Sequence, residues 1–307
     1  MDFIIQQIIN GIQLGSIYAL IALGYTMVYG IIRLINFAHG DFYMIGAYTA
    51  YGAYFLLGSI FGFKHSQQFH STIIFIIVLI ISMLAGALIA ITANKFAYKP
   101  LREKPRLSAL ITAIGVSMFL EYFFSALPFI GPSYRGFPEI IFKKNFSIGS
   151  SFISNYVIID IIVSAILMIF LLYIVKYSKI GKAMRAVALD KDAAKLMGID
   201  IEKIIFITFF IGGSFAGIAG LLAGLTYPRI FPYMGILPGL KAFISAVLGG
   251  IGNIPGAMLG SYILGIAETF ASSINSLIGE GIAFLILVIV LLFRPQGILG
   301  EKTADKI

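Results

Sequence analysis

The 307-residue chain has no cysteine and no tryptophan, and only 12% of its residues are charged. Without cysteine there is no disulfide, no thiolate metal ligand and no cysteine nucleophile. A soluble domain carries about 25% charged residues, so roughly half the charge that a water-facing surface needs is missing. A soluble enzyme and a disordered chain are both poor fits. The phosphate-loop pattern G-x-x-x-x-G-K-[ST] is absent, so the chain carries no ATPase of its own. There are three histidines, His39, His65 and His70, and no Ser-His-Asp or metal-ligand spacing. His65 and His70 flank an outside loop and read as solvated. No cofactor is expected.

Apolar sequence takes the place of charge. The chain is 59% hydrophobic, with a mean hydropathy of +0.98. A helix needs about 20 mostly apolar residues to cross the hydrocarbon core. Residues 3–32, 42–63, 71–94, 204–228 and 242–267 contain no charge, and 107–130, 152–175 and 269–293 contain one acid each. These eight segments predict an all-α, polytopic helical membrane protein of about 8–10 spans, forming one domain over 1–307. The runs are too long and continuous for an alternating β-barrel. The first run has no small-residue cleavage site, so it reads as a retained span.

The net charge of +8 and pI near 9.5 point to nucleic acid only until the charges are located. Of 22 basic residues, five lie in 95–106, seven in 176–203 and three after 293. The positive-inside rule makes these three regions cytoplasmic, so the charge reports topology and no nucleic-acid partner is expected. Parity then tests the scheme. Three crossings before 95 put the N-terminus outside, and loop 131–151 is outside as well. Three crossings after 203 would put the basic tail outside. One segment must therefore be a pair of half-crossings, or not cross. The choice falls on 242–267, which contains Gly-Gly-Ile-Gly-Asn-Ile-Pro-Gly at 249–256. Backbone freed by such residues must face protein or a water-filled cavity, and broken helices often line transport sites. A second break is expected at 36–41, Asn-Phe-Ala-His-Gly-Asp. Each break has an Asn shortly before a Gly, followed by a helix of small apolar residues.

Glycine is abundant, at 33 residues. Several recur at four-residue spacing: Gly11 and Gly15, Gly213 and Gly217, Gly220 and Gly224, and Gly252, Gly256 and Gly260. That spacing lets helix backbones approach closely, and it predicts tight bundle packing. The longest polar stretch, 176–203, has good helix formers around Ala183, Val187 and Ala194. Gly198 is placed to end a helix and Asp200 to cap the next. Two short helices beside the membrane are expected, offering either a solvated loop or a docking element for a cytoplasmic partner.

Three motifs narrow the class. Asp192-Ala193-Ala194-Lys195-Leu196-Met197-Gly198 is similar to the EAA–G loop of ABC-importer permeases, with Asp in place of Glu. Residues 25–48, YTMVYGIIRLINFAHGDFYMIGAY, resemble the N-terminal signature of LivH-type permeases. Residues 241–260, KAFISAVLGGIGNIPGAMLG, resemble a signature shared by LivH and LivM permeases. The likeness runs over essentially the whole chain and favours LivH. It implies a permease subunit of an ATP-driven importer that moves branched-chain or related hydrophobic amino acids across the bacterial inner membrane by alternating access. It also implies partners: a second permease of LivM type, two cytoplasmic ATPase subunits and a periplasmic or extracellular substrate-binding protein. ATP hydrolysis would then lie on other chains, with Arg185, Asp192, Ala193, Ala194 and Gly198 in the ATPase docking loop. Similar permeases carry urea or short amides. An ion-coupled secondary transporter is the reading from a different class.

The breaks supply the residues expected at the translocation path or gate: Asn36, His39, Gly40 and Asp41 at one, Gly252, Asn253 and Gly256 at the other. Amide, imidazole and carboxylate at a break either satisfy freed backbone groups or shape the path. Intramembrane acids are functional hypotheses because burying them is costly. Asp160 and Glu280 read as solvated near span ends, Glu121 as the mark of a break, and Glu268 as the mark of a turn. Capture on a separate binding protein means that no deep, charge-rich site is expected.

Overall fold

The computed structural model describes residues 2–61, 68–102, 104–148 and 151–300. The chain is helical almost throughout, as its composition demands. Helix α1 (Asp2–Ile32) breaks after Ile32, and α2 (His39–Phe61) starts six residues further on. Next come α3 (Gln68–Ala93), a π-helical turn (Asn94–Tyr98), a 3-10 turn (Lys99–Leu101) and α4 (Arg106–Ala126). The π turn lies one turn before Pro100, which cannot donate a backbone hydrogen bond. It swings Tyr98 into the core, where it is 2% exposed.

The outer loop 127–154 holds β1 (Arg135–Gly136) and the hairpin of β2 (Asn145–Ile148) and β3 (Ser151–Ser154). Helix α5 (Asn155–Tyr177) crosses back to the end of the bundle that carries the 95–106 segment. There the short helices α6 (Lys179–Leu189) and α7 (Lys191–Leu196) precede α8 (Ile201–Thr226). Strand β4 (Arg229–Ile230) pairs antiparallel with β1 and ties the two outer loops together. Then follow α9 (Ile236–Gly249), α10 (Ile254–Ile274) and α11 (Ser276–Phe293).

Seven of the described helices are long and apolar enough to cross a membrane, and α9 is a shorter apolar helix. Helices α1 and α8 are buried over 83% of their apolar stretch, whereas α4 and α11 are buried over only 17% and α5 over 22%. The first two are therefore the central pillars, and the others present their sides to lipid.

The parity problem resolves within segment 242–267, which is the end of α9 and the first part of α10. The chain reverses at Gly250 and Gly252, whose φ angles of 107° and 95° lie where only glycine is free of Cβ strain. Ile298 N and Leu299 N donate to Leu248 O and Gly249 O at 2.8 and 3.0 Å. Residues 298 and 299 are thus pinned beside the reversal. The expected boundary at Glu268 was misplaced: α10 runs through it to Ile274, because a charge paired inside the bundle does not end a helix. Glu121 likewise lies within an unbroken α4.

The glycine spacing does what packing requires. A Cβ on Gly11 or Gly15 would press into the backbone of α10 at Ile266 or Tyr262, and one on Gly213 would overlap α3 at Ala90 and Gly86. Where α2, α3 and α8 meet, Ser82 Oγ lies 2.8 Å from Gly46 O and 2.7 Å from Gly217 O. His65 and the side chain of His70 lie outside the described residues.

Candidate functional site

The first break is built by α1 ending early. Arg33 adopts a left-handed φ of 59°, uncommon for a residue with a Cβ, and turns the chain back into the bundle. His39 N then donates to Asn36 O at 3.0 Å, opening α2. Asn36, His39 and Asp41 are each 1% exposed. Asn36 Oδ1 accepts from Tyr98 Oη at 2.6 Å. The His39 ring donates to the Ile21 carbonyl and fills the space a side chain at Gly24 would need. It also packs 4.8 Å from the Tyr25 ring. Asp41 faces Ser117 and Glu121 of α4, where Ser117 Oγ donates to Glu121 Oε1 at 3.5 Å. Glu121 is 7% exposed, so it is a partner of the break at 36–41. Gly40 lets α2 touch α9: a Cβ there would lie 3.1 Å from Gly239 Cα.

Among the described residues, three atoms at this break, Asn36 Nδ2, His39 Nε2 and Asp41 Oδ2, are buried with no hydrogen-bond partner, as are Thr26 Oγ1 and Tyr48 Oη. Such groups are rare in native proteins and call for an explanation.

The second break lies elsewhere. Gly252 approaches Gly30 near the cytoplasmic end of α1, while the first break touches Gly235 and Gly239 at the other end of α9. Eleven helical residues separate Gly239 from Gly250, about 16 Å, so the two breaks form no common site. Asn253 caps α10: its Oδ1 accepts from Gly256 N at 2.9 Å, and its Nδ2 donates to Leu299 O at 2.8 Å. Gly256 packs against the backbone of Gly249.

The bundle also holds charge that sequence reading missed. Lys241 Nζ lies 2.6 Å from Glu268 Oε1, with the two residues 4% and 8% exposed. Tyr18 Oη donates to the same carboxylate at 3.1 Å from Oε2. Nearby, Asp160 Oδ2 accepts from Gln13 at 2.9 Å and Thr226 at 3.0 Å. Asp160 is 1% exposed, so its expected solvated position is overturned: near the start of α5 it is buried against α1 and the end of α8. Glu280 is exposed, in keeping with its expected place.

On the cytoplasmic side, 176–203 forms two short helices, with the break at Asp190, which caps α7 through Asp192 N and Ala193 N. Asp200 caps α8 itself. Gly198, at φ 81°, ends α7, with Ile199 N donating back to Ala194 O at 3.0 Å. Asp192 and Ala193 are exposed and Ala194 is buried. Leu189, Leu196 and Met197 are more than 80% exposed, an apolar surface on the side away from the bundle. Arg185 is occupied otherwise, donating to the Val175 and Lys176 carbonyls at the end of α5. Arg33, Arg102 and Lys191 line a cavity of about 490 Å³ beside these helices. Burial first, then the nearby Arg102 and Arg33, push the Lys191 ammonium below the usual lysine range. Glu202 pairs with Lys99 at 3.1 Å and with Arg102.

A bundle with broken helices, intramembrane polar groups and a helical cytoplasmic loop defines a multi-pass membrane transport protein. The family model described as "Branched-chain amino acid transport system / permease component" matches residues 7–292, and the chain belongs to that family. It is 40% identical to the high-affinity branched-chain amino acid transport system permease protein LivH of Escherichia coli K12, over 99% of this chain and 98% of that one. It is 40% identical, with the same coverage, to the permease protein BraD of Pseudomonas aeruginosa. To LivM of Escherichia coli K12 it is 26% identical, over 93% of this chain and 68% of that one. The chain is a permease of the bacterial inner membrane, not an enzyme.

Proposed function

We propose that this chain is the LivH-type half of a two-permease importer that carries branched-chain or related hydrophobic amino acids inward, driven by ATP hydrolysed on other subunits. The observation that carries this reading is the end-to-end 40% identity with LivH and BraD. The partners are a LivM-type permease, two cytoplasmic ATPases and a substrate-binding protein on the outer side. The exposed apolar residues of α6 and α7, next to exposed Asp192 and Ala193, support docking of an ATPase there. Arg185 and Gly198 hold the docking helices in place. The mechanism is alternating access: ATPase closure pushes α6–α7, and the bundle rocks about its broken helices. The Asn36–Asp41 break is the path or gate element. Gly252, Asn253 and Gly256 form a hinge at the separate α9–α10 break.

The test is uptake of radiolabelled leucine in a bacterial strain lacking its own branched-chain importers. The strain is supplied with this chain, the LivM-type permease, the ATPases and the binding protein encoded beside it. Uptake that needs ATP and is competed by isoleucine and valine is the expected result. Uptake of urea or an amide with none of leucine would replace the substrate class. Asp192→Lys with Ala193→Phe should abolish ATPase co-purification while the permease pair stays intact. Wild-type co-purification would remove the docking assignment.

A further inference from the structure

Glu268, with Lys241 in contact behind it, lines a cavity on the outer half of the bundle. The cavity has a volume of about 530 Å³ and is lined by Asn10, Gln13, Ile17, Tyr43, Thr226 and Glu268, among others. Its place follows from the outer ends that meet there, the start of α1 and the ends of α8 and α10. That volume is in the range that binds small molecules. One side is polar, with Gln13 and Thr226 bonded to Asp160 behind them. The other is apolar, with Leu14, Ile17, Ala223 and Pro238 in the wall. The floor carries the Glu268 carboxylate, and the Lys241 ammonium is in contact with it from outside the cavity lining.

A buried ion pair is a poor stabiliser, because the desolvation of both charges offsets their attraction. An ionisable residue inside a membrane is a functional hypothesis by default. The Lys241 ammonium has three donors and, among the described residues, one side-chain partner, Glu268 Oε1. The Glu268 carboxylate is steadied by Tyr18 from the other side. A free amino acid is itself an ammonium and a carboxylate on one carbon. If it enters between the two side chains, its carboxylate meets Lys241 and its ammonium meets Glu268. The charges then alternate, and no net charge is added to the interior. A ligand with only one of the two charges would leave a buried charge unpaired, which is penalised heavily.

We infer that Lys241 and Glu268 form the zwitterion-recognising element of the permease, opening their ion pair around the substrate's α-ammonium and α-carboxylate while the apolar wall receives the side chain. This deepens the proposed amino-acid reading and rests on it. Selectivity for the backbone of the substrate then lies here, and selectivity among apolar side chains lies in the wall and in the binding protein.

The test uses the complete importer and the absence of native cysteine from this chain. In a Thr269→Cys chain, on the cavity wall beside Glu268, millimolar leucine should slow maleimide labelling about threefold or more. Isocaproate and isoamylamine, which each keep one charge, should not. Equal labelling with and without leucine overturns the inference without any change to the pair. The second arm is the double variant Lys241→Met with Glu268→Leu. A purely structural pair predicts that this apolar replacement keeps both fold and transport. The recognition role predicts an assembled complex with ATPase activity still stimulated by the binding protein, but leucine uptake reduced at least about tenfold. Uptake at wild-type rate in the double variant sinks the inference alone. No leucine uptake by the unaltered complex sinks the substrate reading beneath it.

Discussion

At the α9–α10 reversal both polar side-chain atoms of Asn253 are bonded, to Gly256 N and Leu299 O. At the α1–α2 reversal Asn36 Nδ2, His39 Nε2 and Asp41 Oδ2 are buried with no partner among the described residues. Both reversals present an Asn before a Gly and a small-residue helix after it. One is a closed joint, with backbone packed on backbone at Gly249 and Gly256 and the tail laid across it. The other holds polar groups in a low-dielectric interior at about 1–3 kcal/mol for each one left unmade. Under the proposed function the contrast is between a closed structural hinge and the break assigned to the path or gate.

The largest effect that would test this contrast is at Gly249. A Cβ there would overlap the Gly256 carbonyl, and neither backbone can yield without parting α9 from α10. Gly249→Val should destabilise the chain by about 3 kcal/mol, the upper end for overpacking. Thermal unfolding in detergent, followed by size exclusion, should show a lower midpoint, with uptake lost in proportion. A normal midpoint with lost uptake would make this reversal the functional one and invert the comparison.

Asp41→Asn is the next test, and it separates stability from transport. The amide keeps the volume and still faces Glu121 and Ser117. The midpoint should therefore move by no more than about 1 kcal/mol equivalent. Uptake should fall about tenfold, because an intramembrane carboxylate is retained for function. If uptake is unchanged, the unpaired atoms are a tolerated packing defect, and the Asn36–Asp41 break loses its assigned role.

The apolar runs, the basic loops and the glycine spacing carried most of the architecture, since each reports a requirement that lipid imposes directly. Parity even located the reversal within 242–267. The charges inside the bundle were harder to read. Asp160 sits near the start of an apolar run, and its distance from that end says nothing about which face of α5 it occupies. Burial against Gln13 and Thr226 is a tertiary fact. Lys241 and Glu268 were legible in principle. They flank the charge-free run 242–267, 27 residues apart, with the Gly250–Asn253 reversal close to midway. A hairpin folded there must bring them face to face. Treating charges as span boundaries hid that symmetry. In the cytoplasmic loop the helix break at Asp190 was legible too, since an Asp two or three residues before free backbone N–H groups is a helix cap.

The smallest expected effect is at Asn253, and it tests whether the closed joint is only a joint. Asn253→Ala removes the cap on α10 and the bond to Leu299 O. Losing an N-cap costs about 1 kcal/mol, so the unfolding midpoint should drop modestly. Asn253→Asp keeps the acceptor for Gly256 N and loses only the donor to the tail. It should sit between Ala and wild type, because the carboxylate still caps the helix while the tail carbonyl at Leu299 goes unpaired. In both variants uptake per folded complex should stay near the wild-type rate, since both polar atoms of Asn253 are already engaged within this chain. A tenfold loss of uptake in the Asp variant, with its midpoint held, would show that the Nδ2 donor serves transport. The two breaks would then be alike in function as well as in sequence.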